Sequence, residues 1–144
     1  GRFDFDACQL DIMFILLATL KEGELNYKVN VKDIELLTGR QWNYQQLRKA
    51  TEDMGSRMFE INIPKGDKNI YRQLWIFQKV DYVEGSGTLE IMLTEPSIPY
   101  FFELKNSFTS IQLKSVLSCS SKYAKRLYTL ACQWRSIGHK IYIH

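Results

Sequence analysis

Hydrophobic residues near the start of the chain follow the spacing of an α-helix. Four of them recur at intervals of three and four positions: Leu10, Met13, Phe14 and Leu17. This pattern predicts a helix over roughly residues 6–21. Ile12, Ile15 and Leu16 make a second side of the same helix apolar. Because one core needs a single apolar stripe, we expect these three residues to form a dimer interface. The alternative is that the sheet and a later helix bury both sides within one molecule.

Two more helical patterns follow, with a glycine between them. Asn30 is suited to cap a short helix that Gly39 ends. The apolar stripe of this helix comprises Val31, Ile34 and Leu37. Asn43 and Gln46 have the spacing of a capping box, which predicts a second helix running to about residue 57. The predicted buried face of the second helix comprises Leu47, Ala50, Met54 and Met58. A short helix, a glycine turn and a longer helix are typical of a helix-turn-helix.

The middle of the chain changes to the two-residue alternation of β-strands. The alternating apolar positions are Phe59, Ile61 and Ile63, and then Leu89, Ile91 and Leu93. Between these two strands, residues 64–69 predict a turn, residues 70–83 a long strand and residues 84–87 a second turn. A short strand is also predicted over residues 27–29. A helix-turn-helix followed by a β-hairpin indicates a winged helix, so the predicted fold class is α+β.

The C-terminal part predicts one more helix. Pro96 and Pro99 interrupt the strand pattern, and a helical pattern returns over residues 121–137. One face of this helix is apolar. The opposite face carries three bases: Lys122, Lys125 and Arg126. Residues 1–144 are therefore predicted to form a single winged-helix domain with an extra helix at each end.

Composition supports a folded domain, and the charge is unevenly distributed. Hydrophobic residues make up 45% of the chain and charged residues 24%, as in ordinary soluble globular proteins. The net charge is only +3, yet residues 81–104 contain five acids and no base, and residues 105–144 contain seven bases and no acid. Such a basic segment favours polyanions. The alternative is a solvated helix face whose charge the acidic segment balances.

Several classes of function are not indicated. The longest apolar run, residues 12–18, is too short to span a membrane, and no export signal is present. Cys8, Cys119 and Cys132 are widely spaced and form no CxxC pair, so we expect small buried hydrophobes and neither disulfides nor a zinc site. Cys132 lies seven residues before His139 without a carboxylate near it in sequence. We expect no catalytic residue, no metal and no cofactor.

One segment resembles a known family. Residues 120–128 read SSKYAKRLY, which resembles the SKYAxRLYxLL segment of the initiator replication proteins of theta-replicating, often iteron-bearing plasmids. Other family segments follow in the same order at residues 9–12, 44–51, 99–100 and 108–109. The resemblance implies two tandem winged-helix domains, the first serving dimerisation and auxiliary DNA contact and the second reading most of the repeat. We expect this chain to be the N-terminal domain of such a protein, without the second domain, in the bacterial cytoplasm.

The resemblance and the fold together indicate candidate DNA contacts. In a winged helix, the second helix of the helix-turn-helix is the usual reader of base edges. The predicted DNA-binding residues are Arg40, Tyr44, Gln45, Arg48, Lys49, Lys65, Lys68, Lys122, Lys125 and Arg126. Glu52 and Asp53 oppose this interpretation of the reading helix, since acids repel phosphate, and the alternative is a solvated helix face. Arg126 has its own alternative, an ion pair with an acid from residues 81–104.

Three functions remain open from the sequence. The first is a plasmid replication-initiator domain that binds double-stranded DNA at origin repeats, as a homodimer and in contact with host replication proteins. The second is a winged-helix transcriptional repressor acting at an operator. The third is an interaction module that serves dimerisation alone. Salt-dependent DNA binding separates the first two from the third, and direct repeats beside the gene separate the first from the second.

Overall fold

Helix α1 (Ala7–Thr19) is buried almost all round in the computed structural model, which describes residues 5–106 and the side chains of all of these except residues 37 and 38. Its start is fixed by a capping box that the sequence reading had not identified. The Asp6 carboxylate accepts from the Gln9 backbone N–H at 2.9 Å, and the Gln9 side chain accepts from the Asp6 N–H at 3.0 Å. The helix ends at Leu20, where the backbone becomes extended.

The predicted dimer interface on α1 is wrong. Ile12 and Leu16 are 0% exposed and Ile15 is 3% exposed, so all three belong to the core of one molecule. The second apolar side of α1 exists because a central helix must contact other elements on more than one face. The alternative holds in that both sides are buried within one molecule, while the later helix that it names lies outside the described residues.

The helix-turn-helix forms as predicted. Helix α2 (Val31–Thr38) is capped by Asn30, whose side chain accepts from the Lys32 N–H, and ends at Gly39 in the left-handed conformation with φ 79°. Helix α3 (Tyr44–Ser56) begins at Asn43 with the predicted capping box to Gln46. Its buried residues are Leu47, Ala50, Thr51 and Met54. Met58 is a correction, because it lies beyond the end of α3 and is half-buried.

A three-stranded antiparallel sheet supports these helices. Strands β1 (Asn26–Asn30), β4 (Phe77–Val83) and β5 (Thr88–Leu93) pair in the order β1-β5-β4. The alternation predicted for β5 is confirmed, since Leu89, Ile91 and Leu93 are all buried. The turn between β4 and β5 occupies residues 84–87, as predicted. This sheet joins the first strand of the fold to the last.

The predicted long strand over residues 70–83 is wrong. The chain forms strand β3 (Lys68–Leu74), breaks at Trp75 and Ile76, and continues as β4 in the other sheet. Leu74, Ile76 and Phe77 are all buried in one core cluster. A straight strand would turn Ile76 and Phe77 to opposite faces, whereas the backbone bends at Ile76. Thr94 holds the bend, since its backbone N–H donates to the Ile76 carbonyl at 3.0 Å.

The predicted turn over residues 64–69 is shorter than expected. Strand β2 (Phe59–Lys65) pairs with β3 through Lys65 opposite Lys68, so the loop consists of Gly66 and Asp67 alone. Gly66 has φ 64°, which suits the first position of a two-residue type II′ loop. Pro64 remains inside the strand because a two-stranded ribbon has edges that need no donor.

The order of elements is that of an α+β winged helix with an inserted hairpin. The β4–β5 hairpin forms the wing, and β2–β3 is a separate two-stranded ribbon between α3 and β4. After β5, a 3-10 turn (Glu95–Ser97) leads into helical residues 98–106, and Phe101 and Phe102 join the core. The predicted helix at residues 121–137 lies outside the described residues. None of the helices described is long and apolar enough to cross a membrane.

Candidate nucleic-acid interface

Helix α3 places its predicted DNA-contacting residues on the outside of the domain. Its buried side chains contact the core, and the face opposite carries Gln45, Arg48 and Lys49, all exposed. The capping box holds the first turn of this helix in place. The structure thus brings these three residues onto one accessible surface.

The basic side chains of α3 form ion pairs with acidic side chains of the same helix. Arg48 Nε donates to Glu52 Oε1 at 2.9 Å, and Lys49 Nζ donates to Asp53 Oδ1 at 3.2 Å. Both pairs are exposed and one helical turn apart. The hydrogen bond and the charge of Glu52 raise the pKa of Arg48. Exposed ion pairs of this kind are weak. A DNA phosphate or the edge of a DNA base can therefore replace the carboxylate as the partner of Arg48 or Lys49 with little loss of free energy.

Tyr44, the first residue of α3, contacts the wing. Its ring meets that of Tyr82 edge-on, with centroids 5.0 Å apart and planes at 72°. The Tyr82 hydroxyl is 2.6 Å from Thr51 Oγ1, so β4 is tied to the middle of α3 as well. Burial raises the pKa of Tyr82, which keeps this hydroxyl protonated. Tyr44 itself remains 53% exposed and thus available to a ligand.

A cleft of about 680 Å³ separates the helix-turn-helix from the wing. Its walls include Val31, Trp42, Tyr44 and Leu47 on one side and Tyr82, Val83, Glu84 and Leu89 on the other. This cleft was not predicted from the sequence, because its residues come from three separate stretches of the chain. The wing turn, residues 84–87, contributes Glu84 and no base. The wing tip therefore offers no positive charge to phosphate.

Arg40 forms a bidentate ion pair with helix α1. Its guanidinium donates twice to the carboxylate of Asp11, from Nε to Oδ2 at 3.0 Å and from a terminal nitrogen to Oδ1 at 2.7 Å. Trp42 Nε1 donates to the same Oδ2 at 2.8 Å. We call these three residues the Asp11 cluster. The bidentate pairing directs Arg40 toward α1, because a planar guanidinium presents its donors in a fixed arrangement. The Arg40 side chain is 37% exposed, and its contact with DNA stays a prediction.

The hairpin β2–β3 carries two more of the basic residues that were predicted to contact DNA. Lys65 and Lys68 stand opposite one another at its tip, and both are exposed. Arg72 lies on the same face of the ribbon, opposite Ile61 and four residues from Lys68. Residues opposite each other or two apart along a strand share a face. Arg72 was not among the predicted contacts. Its position on the same face as the two lysines follows from the strand register, which depends on a turn of only two residues.

The remaining predicted groups are outside this surface. Lys122, Lys125 and Arg126 lie outside the described residues, as do Cys119 and Cys132. Cys8 is buried and unbridged, as expected of a small hydrophobe. Burial, reinforced by the carboxylates of Asp6 and Asp11, raises the pKa of Cys8 to about 12. Within residues 5–106, no group of three or more His, Cys, Asp or Glu side chains is placed to hold a metal ion.

Comparison with known proteins gives consistent matches. The sequence model of a family described as "Initiator Replication protein, WH1" matches residues 1–132. A replication initiation protein of Escherichia coli is 32% identical over 111 residues, covering 76% of this chain and 33% of that protein. A probable replication protein of Bifidobacterium longum (strain NCC 2705) is 26% identical over 137 residues, covering 93% of this chain and 46% of that protein. The chain thus spans less than half the length of either relative.

A solved structure has the same fold. The crystal structure of the MSBI1.176 WH1 domain, a replication protein isolated from a multiple sclerosis patient, aligns with a TM-score of 0.56 at 18% identity. The alignment covers 71% of this chain and 85% of that one. The winged-helix fold and the family match over nearly the whole sequence agree, and the chain belongs to the WH1 family of initiator replication proteins.

Proposed function

We propose that this chain is the domain of a plasmid replication initiator that binds origin DNA and supports dimerisation. The observation that carries the proposal is the placement of α3, with its buried face on the core and Gln45, Arg48 and Lys49 exposed on the other. A helix presented in this way matches the width of the major groove of B-form DNA. The family membership is consistent with a role in replication initiation.

The chemistry of the exposed residues suits two kinds of contact. Gln45 can pair with an adenine edge and Arg48 with a guanine edge through two hydrogen bonds each. Lys65 and Lys68 supply positive charge to phosphates at the hairpin tip. Phosphate contacts contribute affinity without sequence information. We therefore expect weak and largely sequence-independent binding by this chain alone.

The test is fluorescence anisotropy with labelled duplexes at two salt concentrations. The proposal predicts measurable binding at low salt and a steep loss of affinity as salt rises, since each neutralised phosphate releases counterions. Undetectable binding at low salt would overturn it and favour the dimerisation module instead. The pairing of Arg48 and Lys49 with acids of α3 is the observation that favours this second candidate.

Dimerisation is part of the proposal but uses a surface other than α1. Large hydrophobic residues exposed on one molecule include Tyr71 and Trp75, on and just beyond strand β3. In addition, the described residues place no third strand beside the ribbon β2–β3. Sedimentation of the chain over a range of concentrations tests this point. A single monomeric species throughout would remove dimerisation from the proposal and leave DNA binding in place.

The wider roles follow from the whole protein rather than from this chain. The second winged-helix domain and the contacts with host replication proteins remain proposals that rest on family membership. A repressor acting at an operator would use the same α3 surface, and only the sequence bound distinguishes it. Direct repeats near the gene would favour binding at a replication origin over binding at an operator.

A further inference from the structure

We infer that Asp11 is a positioning residue that fixes the orientation of the DNA-reading helix α3. This inference rests on the proposed function and assigns a role in it to a residue that cannot itself reach DNA. Asp11 lies in α1 and is 0% exposed. It acts through Arg40 and Trp42, which belong to the turn between α2 and α3.

The Asp11 cluster spans that turn at both ends. Arg40 follows Gly39, the residue that ends α2, and Trp42 precedes Asn43, the N-cap of α3. One carboxylate accepts hydrogen bonds from both side chains, at distances of 2.7 to 3.0 Å. The path of the turn is therefore fixed relative to α1 at two points. Since α3 starts two residues after Trp42, directly after its N-cap Asn43, its direction depends on the same carboxylate.

A second polar contact lies close to the cluster. The Cys8 thiol, one helical turn before Asp11, is 3.8 Å from the Gln46 carbonyl in the first turn of α3. Most other buried residues of α1 are apolar, among them Ile12, Met13 and Ile15. Apolar contacts tolerate sliding and rotation more readily than a bidentate ion pair does. Relative to an apolar replacement such a pair adds little net stability, and we infer that its contribution here is a defined geometry.

The substitution Asp11→Asn separates positioning from electrostatics. It removes a negative charge, so an effect through charge alone would strengthen binding to DNA. It also replaces an acceptor oxygen with an NH₂ group, which cannot accept from Arg40 or Trp42. Loss of positioning would therefore weaken binding. The two explanations predict changes of opposite sign.

The experiment compares the unaltered chain with Asp11→Asn by anisotropy, on a labelled random-sequence duplex at low salt and well below the midpoint of unfolding. We expect affinity to fall by about fivefold or more, the scale of coupling within one hydrogen-bonded network. Leu93→Ala is the control for destabilisation, since Leu93 is a fully buried residue of β5 outside the turn. We expect it to lower the melting temperature and to leave affinity unchanged.

A spectroscopic readout tests the geometry directly. The chain has three tryptophans, and Trp42→Phe identifies the indole N–H resonance of Trp42 in a ¹H–¹⁵N spectrum. We expect Asp11→Asn to shift this resonance toward the position of a solvent-exposed indole and to leave the resonance of Trp75 in place. Trp42→Phe keeps both charges and removes one donor, so it serves as the milder variant if Asp11→Asn does not fold. We expect Trp42→Phe to weaken binding less than Asp11→Asn does.

The outcomes separate this inference from the proposed function. If the unaltered chain fails to bind the duplex, the proposed function fails and this role fails with it. If the unaltered chain binds and the folded variants bind equally well or more tightly, only the positioning role of Asp11 is overturned. A loss of affinity matched by Leu93→Ala would reduce Asp11 to a structural residue.

Discussion

Helix α3 and the hairpin β2–β3 both expose basic side chains to solvent, but the side chains differ in whether an acidic residue pairs with them. On α3, Arg48 and Lys49 each bind an acid one turn further along the helix. On the hairpin, Lys65 faces Lys68, and Arg72 lies on the same side. Like charges placed opposite each other in a ribbon destabilise it slightly. Their presence there indicates a surface suited to a polyanion.

The two elements also differ in how firmly the core holds them. Four residues of α3 are buried, and Tyr82 contacts its first turn and its middle. In the hairpin, Phe59 and Leu74 at the base are buried, and the residues toward the tip are half-buried or exposed. On this comparison we propose that the well-packed helix α3 reads the edges of DNA bases. We propose that the positively charged hairpin contacts phosphate.

The largest expected effect concerns stability and tests the difference in packing. Met54, in α3, is fully buried, so Met54→Ala should lower the free energy of unfolding by about 2–5 kcal/mol. Ile63, in the hairpin, is only half-buried, and Ile63→Ala should cost clearly less. Urea denaturation monitored by circular dichroism measures both. Equal losses would show that the hairpin belongs to the core and would remove the distinction.

The next effect concerns DNA affinity. Replacing Lys65 and Lys68 together by Ala should weaken binding to all duplexes alike, since phosphate contacts carry no sequence information. The slope of log affinity against log salt should decrease by about two, roughly one for each lost contact. Anisotropy over a salt series measures this slope. Lys28→Ala, on the exposed side of β1, is the matched control and should leave the slope unchanged. An unaltered slope in the double variant would exclude the hairpin tip from the interface.

A smaller effect of opposite sign is expected on α3. Glu52→Gln with Asp53→Asn should release Arg48 and Lys49 and remove two negative charges, so affinity should rise modestly at low salt. The gain should disappear at high salt, where screening removes it. Glu60→Gln, on the hairpin face opposite Lys65 and Lys68, is a control for the general change in charge. If both changes raise affinity by the same amount per charge, the ion pairs of α3 have no particular role.

The smallest effect concerns Cys8 and the pH range above neutrality. The thiol pKa is raised from 9.0 to about 12, chiefly by burial, so the folded protein retains the proton that the unfolded chain loses above pH 9. The contribution of Cys8 to stability is therefore complete below pH 9 and is lost between pH 9 and about 12. Iodoacetamide labelling near pH 8, with peptide mapping, should modify Cys8 slowly in the native protein and rapidly in urea. Rapid native labelling would contradict this burial.

Local signals in the sequence were sufficient for most of the fold. Asn30, Gly39, Asn43 and Gln46 set the ends of α2 and α3 because caps depend on residues within one turn of each other. The alternation of apolar and polar residues in β5 was likewise visible within a short stretch of sequence. The break at Trp75 was not predictable in this way, since it depends on two sheets that share one stretch of chain.

The candidate site was less accessible to sequence reading. Arg40 and Trp42 meet Asp11 across 29 and 31 residues, and no periodicity connects positions so far apart. The apolar second face of α1 suggested a partner molecule, whereas the core of the same molecule covers Ile12, Ile15 and Leu16. Burial is a property of the assembled fold, and amphipathic patterns specify only which faces avoid water.

The most direct test of the central claim is a titration of the ¹⁵N-labelled chain with a short duplex, followed by ¹H–¹⁵N spectra. The account predicts that the largest shifts fall on residues 44–49 of α3 and residues 65–68 of the hairpin tip, with little change at the acidic wing turn, residues 84–87. Shifts concentrated on the wing turn and absent from α3, or no shifts at low salt, would contradict the assignment of α3 and the hairpin tip to DNA.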